Sequence, residues 1–195
     1  MSSELSILLI DENVDRAKEV IAALEESRYQ VRHLASPSTA LLKEVDAWQP
    51  DVIMIDTESP SRDMLESLHM ISSYSPKPVV MFSEAEDEEM INLSVKSGVS
   101  AYVVGDPDSA RIRPILDAAV ARFNEYQRLK DELVQTKGEL EARKLIDEAK
   151  RLLMDVKGIS ENDAFHSMRK TAMDSGQKME DVARTVISMM KNMNF

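Results

Sequence analysis

Cysteine is absent from the 195-residue chain, which excludes disulfides and thiolate metal sites and fits a reducing compartment. No apolar run approaches the roughly 18 residues of a membrane-spanning helix. The opening MSSELSILLID has no basic region ahead of its apolar stretch, so it does not read as a secretory leader. The expected address is therefore cytoplasmic, with no membrane partner. His33, His69 and His166 are scattered without ligand spacing, so no histidine metal site is expected. Ser83 has no histidine placed to activate it, and no catalytic constellation is present. The chain reads as a non-enzyme.

Basic residues are outnumbered, 24 Lys and Arg against 35 Asp and Glu, for a net charge of -11. Such a balance argues against the whole chain coating nucleic acid. The imbalance is uneven. From Lys137 onward 11 basic residues meet 10 acidic ones, whereas 13 meet 25 upstream. Nucleic-acid affinity in the tail would therefore require clustering of bases on one face. A hydrophobic content of 43% beside 30% charged residues is enough for a packed core, and the length allows one domain or two small ones.

Strand and helix signals alternate through the first two thirds. Short apolar runs occur at ILLI (before Asp11), YQVRHL, DVIMID, PVVMF and AYVV. Amphipathic stretches separate them at Val14 to Glu26, Ser38 to Val45, Arg62 to Ile71, Asp87 to Lys96 and Ala110 to Phe123. Five apolar strands alternating with five helices predict a doubly wound parallel sheet. The functional crevice of such a sheet lies at the carboxyl ends of its strands. Asp11 and Glu12 follow the first strand, Asp56 the third and Ser83 the fourth. Three carboxylates in one crevice are costly without a cation, and hard oxygen donors suit Mg²⁺.

This arrangement resembles a response-regulator receiver domain, over roughly residues 5 to 121, with the domain set at 1–121. The resemblance implies that Asp56 is the phospho-acceptor position and that Asp11 and Glu12 are the metal-binding pair. It also implies that Ser83 is the hydroxyl sensing a phosphoryl group and that Tyr102 is the switch aromatic. Pro60, four residues past Asp56, fits the pattern. Two positions depart from it. Gly105 stands where receivers carry the lysine that neutralises phosphoryl oxygens, and Glu84 follows Ser83 where a small residue is usual. One cation fewer and one carboxylate more disfavour a dianion. The expectation is a pseudo-receiver, in which Mg²⁺ has a pocket but no cofactor is required.

The C-terminal region reads as three short amphipathic helices. Leu145, Ala149, Leu152 and Val156 share one face, as do Phe165, Met168 and Ala172, and then Met179, Val182, Val186 and Met190. Gly158 and Gly176 are helix stops, and Ser160 with Asp163 is a capping box. Met154, Met168, Met173, Met179, Met189, Met190 and Met193 read as core. The segments around Arg143-Lys144, Ala149-Lys150 and Leu152-Leu153-Met154 carry a second resemblance, together with Ser160-Glu161, Ala164-Phe165, Met168-Arg169-Lys170, Ala172-Met173, Gln177-Lys178 and Val182-Ala183. They resemble the ANTAR domain, a bacterial antiterminator RNA-binding module, over about residues 126–187 of a second domain set at 122–195. Arg151 departs, standing where a small Gly is usual. The resemblance implies RNA contact through Lys144, Lys150, Arg151, Arg169, Lys170 and Lys178. By charge pattern alone these residues could be an ordinary solvated face.

Between the two regions, Tyr126, Leu129, Leu133, Thr136 and Leu140 step by three and four, a heptad seam of about two and a half repeats. Only Pro114 and Gly138 interrupt Ala110 to Met154, so one long helix is expected, with the seam open to conditional dimer contact. DTESPSRD (Asp56 to Asp63), VSAYVV and RPILD further resemble antiterminators of the NasT type, which act in nitrate/nitrite assimilation. That resemblance implies a leader mRNA with tandem hairpins as target and a nitrate-sensing NasS-type protein as partner. Two other readings remain open: a phosphorylation-switched regulator with a DNA-binding helix-turn-helix, and a protein adaptor. DNA is disfavoured because the last helix opens with Glu180 and Asp181.

Overall fold

The computed structural model describes residues 5–26, 29–35 and 41–193. Its first strands are β1 (Ser6–Asp11), β2 (Gln30–Leu34), β3 (Val52–Thr57), β4 (Val79–Ser83) and β5 (Ala101–Val104), joined by α1 (Val14–Glu26), α2 (Leu41–Trp48), α3 (Arg62–Tyr74) and α4 (Glu88–Lys96). Then come α5 (Ser109–Lys157), α6 (Glu161–Ser175) and α7 (Met179–Met193). All strand pairs are parallel, in the order β2-β1-β3-β4-β5. The doubly wound architecture read from the sequence is the one observed. The chain divides into two compact units, Met1–Gln127 and Arg128–Phe195.

The apolar strands are continuous runs because both faces of the sheet are covered. Side chains alternate between the faces. Ile7, Leu9, Val52, Met54, Val80 and Phe82 pack with Ala17, Val20 and Leu24 of α1 and with Ile112, Leu116 and Ala119 of α5. Leu8, Ile10, Ile53, Ile55 and Met81 pack on the other side with Leu41 and Val45 of α2 and with Met64, Leu68 and Ile71 of α3. Asp11 and Asp56 are register partners at the ends of the two central strands. Each strand thus delivers, just past its apolar run, a carboxylate to the same edge.

Boundaries differ in a few places. The expected start of α2 at residues 38–40 lies outside the described residues, and α2 runs on to Trp48. Helix α3 continues to Tyr74, and Asp87 is the N-cap of α4, accepting from the Met90 N–H. Helix α5 is unbroken for 49 residues despite Pro114 in its second turn. Along it Tyr126, Leu129, Leu133 and Leu140 are 65%, 50%, 53% and 53% exposed. No helix among the described residues is long and apolar enough to cross a membrane.

The second unit has its own core of Ala149, Leu153, Ala164, Met168, Ala172, Val182, Ala183, Ile187 and Met190. Gly158 and Gly176 adopt φ values of 64° and 65°, the left-handed conformation expected of helix stops. Ser160 caps α6 by accepting from the Asp163 N–H. The apolar stripes were only partly the core. Val156 and Phe165 are exposed, and Met173 and Met189 are 74% and 60% exposed. Leu153, next to the expected Leu152, and Ala164, next to Phe165, take the interior places instead. Small side chains at Ala149, Ala164 and Ala183 let the helices approach closely, which turns the larger neighbours outward. The side chain of Met193 lies outside the described set.

Gly98, between α4 and β5, has φ 107°, and a Cβ there would fall 2.7 Å from the Ser72 Cβ. Gly98→Ala combines left-handed strain with overpacking and should cost at least about 2 kcal/mol. Met168→Ala in the second unit should cost roughly 2–5 kcal/mol. Urea titration of the full chain by circular dichroism measures both. An unchanged midpoint in either variant would contradict the packing described.

Candidate functional site

The second unit presents cations without partners. Lys144, Arg151, Arg169, Lys170 and Lys178 are exposed, and none of them is in any ion pair found among the described residues. Lys150 differs. Its side chain is only 15% exposed, and Nζ lies 2.8 Å from both Asp147 Oδ1 and Glu161 Oε1. Those bonds, Asp147 first, raise its pKa and hold it charged. It ties α5 to the first turn of α6, where Glu161 also favours the helix dipole. Beside Arg169 and Lys170, α6 also exposes Phe165, with His166 edge-on to it at 6.3 Å.

The first unit holds the acidic pocket. A cavity of about 720 Å³ is lined by Glu12, Asn13, Arg16, Asp56, Thr57, Glu58, Ser59, Ser61 and Met64. Asp11 is fully buried and Asp56 is 3% exposed, while Glu12 is exposed. Arg16, which sequence reasoning missed, reaches between the two buried carboxylates. Its Nε donates to Asp11 Oδ2 at 3.2 Å and its Nη2 to Asp11 Oδ1 at 3.1 Å. The same Nε lies 2.8 Å from Asp56 Oδ2. This last contact is an ion pair whose angle leaves Oδ2 without a hydrogen bond. Nη1 reaches Asp106 Oδ1, in the loop after β5, at 3.3 Å.

Local structure aims this side chain. Asn13 Oδ1 accepts from the N–H groups of Asp15 and Arg16, capping α1. Side chains in a first helical turn lean toward the N-terminus, so Arg16 points back over the end of β1. The signal available in sequence was an arginine five residues past Asp11, on what read as the polar face of α1.

The remaining receiver-like positions are linked to one another. Ser83 Oγ donates to the Glu58 carbonyl at 3.0 Å and accepts from the Ala85 N–H at 3.2 Å. The Ala85 N–H also reaches the Glu58 carbonyl at 3.1 Å. Tyr102 donates its hydroxyl to the Ala85 carbonyl at 2.7 Å, so the aromatic is held inward. Gly105 donates its N–H to the Ser83 carbonyl and has φ 97°. A lysine at that position would have to adopt a backbone that side-chain-bearing residues avoid. Arg16 is the one cation among the described residues lining the pocket.

Burial pushes the Asp56 carboxyl up to about 6. Arg16 opposes the shift, while Asp11, Asp106 and Glu84 add to it. A raised carboxyl pKa means that folding favours the protonated form. The penalty is absent below the unfolded value near 4, grows as pH rises, and is complete above about 6. Asp56→Asn should therefore stabilise the chain at about pH 7.5, by up to the order of 3 kcal/mol. The gain should disappear toward about pH 4. Urea unfolding of both chains across this range measures it, and a gain that grew on acidification would contradict the assignment.

Comparison with known proteins assigns each unit a domain family. The response regulator receiver domain model matches residues 7–117 and the ANTAR domain model matches residues 134–187. The transcriptional regulatory protein PdtaR of Mycobacterium tuberculosis is 26% identical over 181 residues, covering 93% of this chain and 88% of that one. The nitrate regulatory protein of Klebsiella oxytoca is 29% identical over 117 residues, covering 52% of this chain and 30% of that one. Among solved structures, a CheY-like receiver domain from Methanospirillum hungatei aligns with a TM-score of 0.56 at 17% identity, covering 64% of this chain and 99% of that one. The chemotaxis regulator CheY4 of Vibrio cholerae aligns at 0.52 and 20% identity, covering 60% and 99%. Both share the fold of the first unit. The chain belongs to the response-regulator receiver family and carries an ANTAR domain in its second unit, and both matched domains are regulatory.

Proposed function

We propose that this protein is an RNA-binding transcription antitermination regulator. The exposed, unpaired cations Lys144, Arg151, Arg169, Lys170 and Lys178 on an ANTAR-family helical unit carry this reading. Lys and Arg hold phosphates without reading sequence. Splayed loop bases stack on aromatic side chains, and Phe165 with His166 supplies such a surface beside Arg169 and Lys170. The target is a leader mRNA bearing tandem hairpins, and its capture favours the antiterminated transcript. Two hairpins call for two ANTAR copies. The half-exposed seam of Tyr126, Leu129, Leu133 and Leu140 supports conditional pairing of the chain with itself.

The nitrate/nitrite setting rests on the NasT-type resemblance and on the likeness to a nitrate regulatory protein over 117 residues. A nitrate-sensing NasS-type protein is the corresponding partner, and the cytoplasm the corresponding address. The first unit acts as a pseudo-receiver, governed by a protein partner rather than by phosphate at Asp56. The left-handed Gly105 in place of a lysine supports this. Duplex DNA is a poor target because the first turn of α7 carries Glu180 and Asp181.

The double variant Arg169→Ala, Lys170→Ala should weaken leader-RNA binding and lower the slope of log affinity against log salt by about two. Lys150→Ala should leave that slope unchanged and lower the melting temperature, since Lys150 is a tie between helices. Filter binding at several salt concentrations, alongside circular-dichroism melts, reads both effects. An unaltered slope in the double variant would exclude this contact face. A lowered slope with an unaltered melt in Lys150→Ala would return Lys150 to the RNA surface.

A further inference from the structure

The receiver fold implies a divalent metal on Asp11, Glu12 and Asp56. The residues present do not fit one in this arrangement. Mg²⁺ requires oxygen ligands at about 2.0–2.1 Å in near-octahedral geometry. Both Asp11 oxygens are already taken, Oδ1 by the Asn13 N–H and Arg16 Nη2, and Oδ2 by Arg16 Nε. The inward oxygen of Asp56 lies against that same Nε at 2.8 Å. Among the described residues, no group of three metal-ligating side chains converges.

We infer that Arg16 is the resident counter-cation of the acidic pocket, standing between Asp11 and Asp56 and closing the pocket to divalent metal. Three observations carry this assignment. First, one guanidinium touches carboxylates from β1, β3 and the loop after β5, and its side chain is only 25% exposed. It thus spans both the metal position and the vicinity of Gly105, where the lysine is missing. Second, helix energetics give no reason for a cation there. The first turn of α1 lies at the positive end of the helix dipole, where a positive charge is disfavoured. The pocket, not the helix, stabilises Arg16. Third, guanidinium is planar, always charged and less strongly hydrated than ammonium, which suits it to a largely buried carboxylate pair. A doubly charged ion entering the same pocket would have to displace these contacts and then face the guanidinium at close range.

The consequence is a pocket whose counter-cation is supplied from within the chain. The tie to Asp106 also fixes the loop that opens α5, where Asp108 caps the helix by accepting from the Ala110 N–H.

The test is Mn²⁺ titration of the full chain, read by electron paramagnetic resonance of free Mn²⁺, with Mg²⁺ as competitor. The wild type should show no saturable site in the millimolar range. Arg16→Gln removes the tethered charge and should bind one Mn²⁺ roughly tenfold to a thousandfold more tightly. Its melting temperature should rise with Mg²⁺. Should that variant not fold, Arg16→Met replaces it. Adding Asp56→Asn to Arg16→Gln should abolish the gained site. Saturable one-to-one Mn²⁺ binding by the wild type overturns the inference. So does a folded Arg16 variant that gains no binding, or a gained site that survives Asp56→Asn.

Discussion

Two carboxylates at the ends of adjacent parallel strands cannot both be ionised in a dry pocket without a cation between them. That constraint organises the first unit. The parallel sheet must bury both faces, so β1 runs apolar up to Asp11 and β3 up to Asp56, one residue before its end. Those residues, Asp11 and Asp56, then lie side by side with almost no access to water. An unpaired buried charge costs several kcal/mol, so something must neutralise the pair. Here it is Arg16, supplied by the first turn of the next helix. Even so, burial prevails over the ion pair, and Asp56 titrates near 6.

The same edge supports the proposal that this receiver is not a phosphate switch. Its hydroxyl and aromatic are already engaged, with Ser83 bonded to the Glu58 carbonyl and Tyr102 to that of Ala85. Gly105 adopts a backbone that a lysine would resist, and Glu84 adds negative potential. A dianion would bring charge with no second cation among the described residues lining the pocket to meet it. In the second unit the logic is reversed. Three helices with small residues at their contacts enclose a thin core, and Lys144, Arg151, Arg169, Lys170 and Lys178 stand outside it uncommitted, whereas Lys150 and Lys191 are held in ion pairs.

Most of the fold was legible because its signals are periodic or local. Continuous apolar runs gave the strands, Ser160 and the left-handed Gly158 and Gly176 gave the helical punctuation, and the aspartates at strand ends gave the pocket. What was not legible depends on distance in space. Arg16 lies in a stretch, DRAKE, that reads as a solvated helix face, and only the twist of α1 over β1 brings it to Asp11 and Asp56. Lys150 looked like its basic neighbours. Its pairing with Glu161 crosses a turn, and nothing in the spacing of eleven residues signals it. The exposure of Phe165, Met173 and Met189 was missed for a related reason: helical periodicity identifies a stripe to within one residue but not which flank of it faces inward.

The central claim is that RNA capture belongs to the helical unit and is not switched by phosphate at Asp56. The most direct measurement is the affinity of the full chain for leader RNA with tandem hairpins, taken before and after incubation with Mg²⁺ and acetyl phosphate, with intact mass recorded for each sample. The account predicts salt-dependent RNA binding, no phosphoryl adduct and the same affinity in both. A stoichiometric adduct accompanied by a change in affinity, or no RNA binding in either sample, would contradict it.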